Sequence, residues 1–349
     1  MKINNTKKQN KLKQKNNSTK KTIKNIKLCS VLPPTSHIVN LDRVKRYDSK
    51  TMLYIDENNK QHLYNLEKTT ELSRGSYGKV VLLKSNTTKQ TFVAKLFFKD
   101  TAFNDEYNNI MLLKDYNIHC RLIDGIPLQN MVGFKNILIM NTYDGDLTKL
   151  RKTLQPEQYE AFILEVLRMF NCLVEKDVGY LDIKLQNILY KCVENSEFMM
   201  KIGDIGSITI LNKEYGIVSY VPFEYKDTSK ETLTTESAMV FLIAVMFLGL
   251  FTDHKETRIF HYSNFKNETT TSYLHKVFLL IYKYKLDTYT FKNGNPYLDM
   301  FLNMLSPDPK ERASIQEIIE YVSDDYNLKY NNTDNVYIER NTKNTDDYI

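Results

Sequence analysis

The segment 180–187 holds an aspartate, a lysine and an asparagine at a spacing that suits the chemistry of phosphate groups. Asp182, Lys184 and Asn187 stand at offsets of zero, two and five. A carboxylate can take the proton of a hydroxyl group, an ammonium can neutralise a moving phosphate, and an amide oxygen can help to hold a metal ion. Downstream, Asp204 lies in a Gly-Asp-Ile-Gly motif and offers a second metal ligand.

A glycine-containing segment farther upstream could cover such a phosphate. Gly75 and Gly78 separate two strand-like runs, and glycine lets a backbone approach phosphates without an intervening side chain. An ordinary hairpin turn has the same pattern, but Lys95 ends an apolar strand 17 residues after Gly78, where a strand would return beneath the turn. A lysine in an apolar strand needs an anionic partner. Glu106 on the next helix is the candidate, ahead of Asp105, although a Glu on that helix's exposed face is the alternative interpretation.

The basic charge of the chain is concentrated at its N-terminus. The 349 residues include 48 Lys and Arg against 42 Asp and Glu, but residues 1–40 contain ten Lys and no acidic residue. The rest of the chain is therefore slightly acidic. A segment so poor in apolar residues cannot bury enough surface to fold, so we expect a disordered basic arm. A solvated tail is the first interpretation of this arm, and nonspecific binding to an anionic partner is the second. The arm lacks the aromatic residues that base stacking needs.

Cysteine spacing and hydropathy indicate an intracellular chain, cytoplasmic or nuclear. The four cysteines are far apart and lack metal-ligand spacing, so we expect free thiols in a reducing compartment. Residues 1–40 show no apolar core or cleavage motif of a secretory signal. The apolar run Ser237–Phe251 has 15 residues and is too short to span a bilayer. It predicts a helix buried in a large core, and no membrane span.

Strand-like runs precede helical ones, which predicts an α+β chain with a small β-rich N-terminal lobe and a larger helical C-terminal lobe. Alternation on both sides of residues 57–60 predicts a hairpin. Further predicted strands lie at 80–83, 91–98, 131–134 and 136–140, and predicted helices at 102–115, 156–175, 236–251, 271–284, 297–305 and 314–327. We expect the arm at 1–40, an extension with the hairpin at 41–65, a folded domain at 66–326 and a disordered tail at 327–349.

Two distal segments make the pattern more specific. Gly216–Glu224 keeps the first Gly, the Tyr and the final Glu that end the activation segment of protein kinases, and Leu305–Arg312 contains Asp-Pro-x-x-Arg. Together with the glycine turn, the strand lysine and the two aspartate motifs, all six elements stand in the order of that family. Over about residues 66–326 the chain resembles the eukaryotic-type protein kinases, as a divergent Ser/Thr protein kinase.

The resemblance implies a bilobal protein-kinase-like fold, with ATP and Mg²⁺ (or Mn²⁺) as cofactors. Asp182 would be the catalytic base, with Lys184 on the transferring phosphate. Asn187 and Asp204 would bind the magnesium ions. The residues implied to bind ATP are Gly75, Gly78, Val80, Lys95, Glu106, Met140 at the entrance to the adenine pocket, and Thr142 in the hinge. Glu224 and Arg312 would form a structural ion pair.

Several residues depart from the family pattern. Tyr180 and Leu181 replace the His-Arg pair before the catalytic Asp, and Ile205 replaces the Phe of the metal motif. Further departures are Ser73 for the first Gly of the turn, Ile217 for Thr, Phe223 for Pro, Glu236 for the buried Asp that begins the central helix, and the absence of Trp. These positions belong to scaffold and regulation, since the residues implied to bind phosphates and metal remain.

The resemblance implies a serine/threonine protein kinase that phosphorylates protein substrates with ATP. The departures favour an alternative, a pseudokinase that acts as a nucleotide-binding or protein-interaction module. A kinase-like transferase for small molecules or lipids is a third interpretation, and it fits the two distal segments less well. The Asn-, Lys- and Tyr-rich composition suggests an AT-rich genome, such as that of a parasite or a large DNA virus.

Overall fold

The structure is a computed structural model that describes most of the chain between residues 40 and 323. The described ranges are 40–75, 78–88, 90–115, 125–151, 153–192, 198–216, 220–225, 231–252, 255–265 and 268–323. The predicted basic arm, except for Asn40, and the predicted C-terminal tail lie outside the described residues. Ile217 also lies outside them.

An antiparallel sheet of seven strands forms the N-terminal lobe, with one helix against it. Its elements are β1 (Val44–Arg46), β2 (Thr51–Ile55), β3 (Gln61–Arg74), β4 (Gly78–Ser85), β5 (Thr91–Phe97), α1 (Asp100–Asp115), β6 (Gly125–Met131) and β7 (Phe134–Asn141). The spatial order of the strands is β1-β2-β3-β4-β5-β7-β6.

Alternation along β5 decides which side of the sheet receives the lysine. Phe92, Ala94 and Leu96 are buried in the core of the N-terminal lobe. Because successive side chains of a strand point to opposite faces, Val93 and Lys95 lie on the other face. Val93 packs against the large core cluster of the helical lobe, so β5 presents Lys95 on the side that faces that lobe.

The residues before the glycine turn are part of this sheet. β2 and β3 form an antiparallel hairpin around residues 56–60, where the sequence predicts one, and β1 adds a further strand. Met52 is fully buried in the lobe core. The backbone N–H of Val132 donates to Ser49 O at 2.7 Å, which ties the extension to the turn between β6 and β7 at the opposite edge of the sheet.

The strand predicted at 131–134 is wrong, because these residues form the turn between β6 and β7. Val132 has a φ of 52° and Gly133 a φ of 80°, and Met131 pairs with Phe134 across the turn. The sequence pattern missed β6 itself, which ends at Met131. Apolar residues in the turn imitate a strand, whereas the left-handed backbone there excludes one.

The C-terminal lobe is built mainly of helices. They are α2 (Leu147–Leu150), α3 (Tyr159–Val174), α4 (Glu236–Phe251), α5 (Tyr262–Phe265), α6 (Thr270–Lys283), α7 (Tyr297–Met304) and α8 (Ile315–Ser323). Short strands accompany them: β8 (Gly145–Asp146), β9 (Val178–Tyr180), β10 (Ile188–Cys192), β11 (Phe198–Ile202), β12 (Ile208–Ile210), β13 (Glu214–Gly216) and β14 (Glu231–Leu233). The predicted α+β fold with two lobes is confirmed.

Helix α4 lies in the centre of this lobe. Residues 238–250 are all buried, which confirms the prediction of a core helix. Within the described residues, no helix has both the length and the apolar character that crossing a membrane requires. The Thr235 side chain caps α4 by accepting from Ala238 N. Glu236, which stands where the family pattern has a buried Asp, is partly exposed, and its carboxylate accepts a hydrogen bond from Ile315 N at 2.7 Å, at the start of α8.

The expectation of four free thiols is also corrected. Cys172 is not disulfide-bonded, whereas Cys192 at the end of β10 is.

Candidate active site

Lys95 connects three elements where the two lobes meet. Its Nζ lies 2.6 Å from Glu106 Oε2 on α1 and 3.3 Å from Asp204 Oδ1 after β11. Burial by itself would lower the pKa of Lys95, but the charges of Glu106 and then Asp204 outweigh it, so the pKa is raised and the lysine stays protonated. Asp105, the weaker candidate for the partner, is exposed on α1.

The periodicity of α1 explains why Glu106 faces inward. Phe103, Ile110 and Leu113 are buried, and Glu106 lies on the same helical face as these apolar residues. Its side chain is 5% exposed, which contradicts the alternative of a surface glutamate. Burial raises the pKa of Glu106, and the Lys95 ammonium opposes that rise.

Sequence reasoning missed Asn109, which lies on α1 three residues after Glu106. Its Nδ2 donates to Ile205 O at 2.9 Å, so α1 also holds the backbone that follows Asp204. The signal in the sequence is its spacing of three residues from Glu106, which places it near the same helical face. Nothing in the local pattern indicated its partner, because the bond joins segments 96 residues apart.

The glycine turn joins β3 to β4 next to Lys95. Gly75 N donates to Gly78 O at 2.9 Å, and Ser76 and Tyr77 lie outside the described residues. A Cβ on Gly78 would collide with the carbonyl oxygen of Leu96, so no other residue fits there without a shift of β5. A Cβ on Gly75 would meet no atom within 4 Å among the described residues.

Three of the implied ATP-binding residues lie on one face of the sheet. Val80 pairs with Lys95 across β4 and β5, and Met140 pairs with Val93 across β7 and β5. Directly paired residues share a face, as do Val93 and Lys95 two positions apart, so Val80, Lys95 and Met140 face the same side. Beyond β7, the hydroxyl of Thr142 bonds that of Thr91 at 3.3 Å.

The segment after β9 holds Asp182, Lys184 and Asn187 together. Lys184 Nζ lies 2.9 and 2.8 Å from the two carboxylate oxygens of Asp182. Asn187 Nδ2 donates to Asp182 O and to Asp182 Oδ2, both at 2.8 Å. At this spacing the side chains of Lys184 and Asn187 both bond the Asp182 carboxylate.

Asp204 is connected to this loop through the backbone. Gly203 N donates to Asn187 O at 2.7 Å, which places the residue before Asp204 against the loop. A Cβ on Gly203 would lie 2.8 Å from Leu189 Cγ, so this close approach favours glycine. Asp204 Oδ1 accepts from Gly206 N and from Lys95. Within the described residues, no hydrogen bond or ion pair occupies Asp204 Oδ2.

Asn187 and Asp204 form a donor set that fits Mg²⁺. Both carry side-chain oxygen atoms that could serve as ligands, and Mg²⁺ is usually held by one or two carboxylates together with water and substrate phosphates rather than by a protein cage. The described residues contain no cluster of three or more His, Cys, Asp or Glu side chains that would make such a cage. The side chain of Asp204 is 40% exposed, so its carboxylate is accessible to a ligand.

A cavity of about 450 Å³ opens beside the loop. Lys184 and Gln186 line one side, and Tyr220 and His261, which form an isolated β-bridge, line another. Met246 of α4 contributes to its apolar part. The cavity therefore lies next to the ammonium that bonds Asp182.

Glu224 and Arg312 meet in a two-point ion pair. Arg312 Nη1 donates to Glu224 Oε1 at 2.8 Å, and Nη2 donates to Oε2 at 2.6 Å. The Arg312 side chain is fully buried, its Nε donates to Ser306 O, and its guanidinium lies 4.9 Å from the ring centre of Phe241. This arrangement joins the end of the segment 216–224 to α4 and to the turn before α8.

Comparison with known proteins agrees with this geometry. Residues 66–322, most of the chain, match the family described as "Protein kinase domain". The chain is also similar to a Dictyostelium discoideum protein named "Probable serine/threonine-protein kinase nek3", with 22% identity over 307 residues. That alignment covers 79% of this chain and 26% of the relative, so the chain spans about a quarter of the relative's length. The two-lobed fold and the family match together show that this chain belongs to the protein kinase family.

Proposed function

We propose that the chain is an active serine/threonine protein kinase that transfers the γ-phosphate of ATP to protein hydroxyl groups. The observation that supports this most strongly is the position of Lys95 between Glu106 and Asp204, at 2.6 and 3.3 Å. A lysine that grips nucleotide phosphates must be oriented by a helix carboxylate and lie near the metal-binding Asp. The contacts of Lys95 with Glu106 and with Asp204 support this assignment.

The loop residues would divide the transfer step among them. Asp182 would accept the proton of the substrate hydroxyl, since its carboxylate is held in place by Lys184 and Asn187. A phosphate that approaches this carboxylate also approaches the Lys184 ammonium, which would stabilise the negative charge of the transferring group.

The nucleotide would lie between the lobes. When bound, ATP supplies the phosphoryl group, and Mg²⁺ neutralises charge that develops on its phosphates. Lys95 would bind the α and β phosphates, and Gly75 and Gly78 would cover them. Asn187 and Asp204 would be the protein ligands of the metal.

Two observations favour Ser or Thr in a protein as the acceptor. Lys184, two residues after the base, resembles the Ser/Thr class, and the Dictyostelium relative carries a serine/threonine kinase name. The cavity beside Lys184 would accommodate side chains of a polypeptide that flank the acceptor residue.

A pseudokinase is the second candidate, and the position before Asp182 favours it. Leu181 is 1% exposed, so an apolar side chain in the core stands where the family pattern has an arginine. The substitution removes a regulatory charge, while the residues that would bind metal and phosphate remain.

The test is transfer of labelled γ-phosphate to a generic basic protein, followed by identification of the labelled amino acid. We expect the wild type to label Ser or Thr, and Asp182→Asn to lose about 100-fold or more, because the base is removed. Asp177→Asn is the control: Asp177 is exposed, has a φ of 55° that Asn tolerates, and lies outside the loop. Nucleotide binding without transfer by the wild type would instead support the pseudokinase.

A further inference from the structure

Three oxygen atoms surround the amide nitrogen of Asn187. Nδ2 lies 3.0 Å from the hydroxyl of Tyr180, 2.8 Å from Asp182 O and 2.8 Å from Asp182 Oδ2. An amide nitrogen accepts nothing and carries two hydrogens, which these three oxygen atoms share, whereas the amide oxygen only accepts. The opposite orientation would place Asn187 Oδ1 against a carbonyl and a carboxylate, which repel it. The contacts therefore place Nδ2 toward Tyr180 and Asp182 and leave Oδ1 as the amide atom that could serve as a metal ligand.

The three acceptors are not equivalent during catalysis. Both carboxylate oxygens of Asp182 also contact Lys184, and a catalytic base changes its charge as it takes a proton. The Asp182 carbonyl belongs to the loop that must accommodate the substrate. The Tyr180 hydroxyl is the acceptor that neither takes up the proton nor belongs to the substrate-binding loop.

Tyr180 is held rigidly. Its side chain is fully buried, its backbone pairs with Ile208 between β9 and β12, and its ring stacks on Phe170 at a centroid distance of 6.4 Å. A buried, oriented hydrogen-bond partner fixes the geometry of a metal ligand and strengthens metal binding. The sequence shows Tyr180 only as a departure from the family pattern.

From these contacts we propose that the Tyr180 hydroxyl orients Asn187 for metal binding and so acts as a positioning residue of this site. The proposal rests on the assignment of Asn187 as a metal ligand in the proposed function. In this proposal Tyr180 acts through the Asn187 amide and not by contact with metal or substrate.

The experiment measures Mn²⁺ binding by electron paramagnetic resonance in the presence of a non-hydrolysable ATP analogue. Tyr180→Phe keeps the ring and removes the hydroxyl. We expect Mn²⁺ to bind about 10-fold more weakly, as is typical when a partner of a metal ligand is lost. Unchanged Mn²⁺ affinity in the folded variant would overturn the proposal. Because this readout needs no transfer, it is independent of whether the wild type phosphorylates a substrate.

Tyr273→Phe is the matched control. Tyr273 is also buried in the helical lobe, and its hydroxyl donates to Leu305 O at 2.8 Å, away from the loop. Both variants lose a buried hydroxyl, so both should lower the melting temperature, but only Tyr180→Phe should weaken Mn²⁺ binding. Equal weakening by both would show a general structural effect and contradict the proposal.

A double-mutant comparison tests whether the effect passes through Asn187. In an Asn187→Ala background, Tyr180→Phe should cause no further loss of Mn²⁺ affinity. If the double variant instead shows the product of the two single fold losses of affinity, the two residues act independently and the proposal is contradicted. If Tyr180→Phe does not fold, Tyr180→His replaces it. The shorter imidazole ends before the position of the hydroxyl, so the same weakening is expected, and wild-type affinity would again overturn the proposal.

Discussion

At the scale of single residues, charges are placed where their cost of burial is offset by a partner. Lys95 is mostly buried between two carboxylates, and Arg312 is fully buried against one. The first cluster is open to a ligand through Asp204, whereas the second is enclosed by protein. Substitution of Lys95 should therefore reduce phosphotransfer, and substitution of Arg312 should reduce stability.

Lys95→Met should abolish phosphotransfer and leave the fold intact. Methionine has similar length and suits the apolar strand, and Glu106 can bind a proton once its cation is gone, because burial already raises its pKa. Loss of a cation that stabilises transferring charge costs about 100-fold or more in rate. The measurement is phosphotransfer together with thermal unfolding, and Lys84→Met at an exposed position of β4 is the control. Activity near that of the control would mean that the nucleotide lies elsewhere.

Arg312→Ala should destabilise the helical lobe. It leaves the Glu224 carboxylate without its two-point partner, which typically costs about 3–5 kcal/mol for a buried pair. Arg74→Ala is the control, because Arg74 forms an exposed pair with Glu71 that should contribute about 1 kcal/mol or less. Denaturant unfolding of both variants gives the comparison, and equal losses would contradict the role assigned to burial.

At the scale of elements, the extension before the glycine turn belongs to the N-terminal lobe. β1 and β2 continue the sheet beyond β3, and Leu41 and Met52 enter the same core as Phe92 of β5. Asn40 caps the short helical turn that follows it by accepting from Asp42 N. The strand that carries Lys95 is thus supported on its other face by residues of the extension.

Met52→Ala should destabilise the protein although it lies far from the catalytic loop. The side chain is fully buried, and a large-to-small change in a core typically costs about 2–5 kcal/mol. Met111→Ala, at a position 44% exposed on α1, should change stability by about 0.5 kcal/mol or less. Thermal and denaturant unfolding distinguish the two. If Met52→Ala leaves the free energy of unfolding unchanged, the extension is not part of the folding unit.

At the scale of the whole molecule, side-chain contacts join the N-terminal lobe to the segment that follows β11. Lys95 reaches Asp204, and Asn109 holds Ile205, so α1 is tied to the segment that precedes 216–224. Leu181 is buried and uncharged. A phosphate on that segment would find no cation at this position, although phosphates commonly order such segments through an arginine.

We therefore expect full activity without phosphorylation of the activation segment. Complete phosphatase treatment, verified by mass spectrometry, should change the phosphotransfer rate by less than about twofold. Leu181 is uncharged, so it cannot form an ion pair with a phosphate on the activation segment. Changing Ser207, Thr209 and Ser219 to Ala should have equally little effect; Ser219 lies outside the described residues. A large loss in both experiments would indicate that another basic residue, such as Lys213, binds a phosphate.

Much of the fold was predictable because it depends on local periodicity. The 3.6-residue pattern of α1 and the continuous apolar run of α4 predicted both helices, and the alternation in β5 predicted its strand. The prediction failed at 131–134, where apolar residues occupy a turn with positive φ. It also missed the roles of Asn109 and Tyr180, whose partners are set by packing between segments and not by neighbours on one element.

The sequence by itself determined the family, the order of the two lobes and the types of chemical group at the site, because these follow from motif spacing and hydrophobic periodicity along the chain. Only the tertiary structure decided that Glu106 rather than Asp105 faces Lys95, that the extension completes the N-terminal sheet, and that the Tyr180 hydroxyl lies 3.0 Å from the Asn187 amide nitrogen. Each of these depends on which side chains meet when distant elements pack, since hydrogen bonds and buried charges act over a few ångströms in space, whatever their separation along the chain.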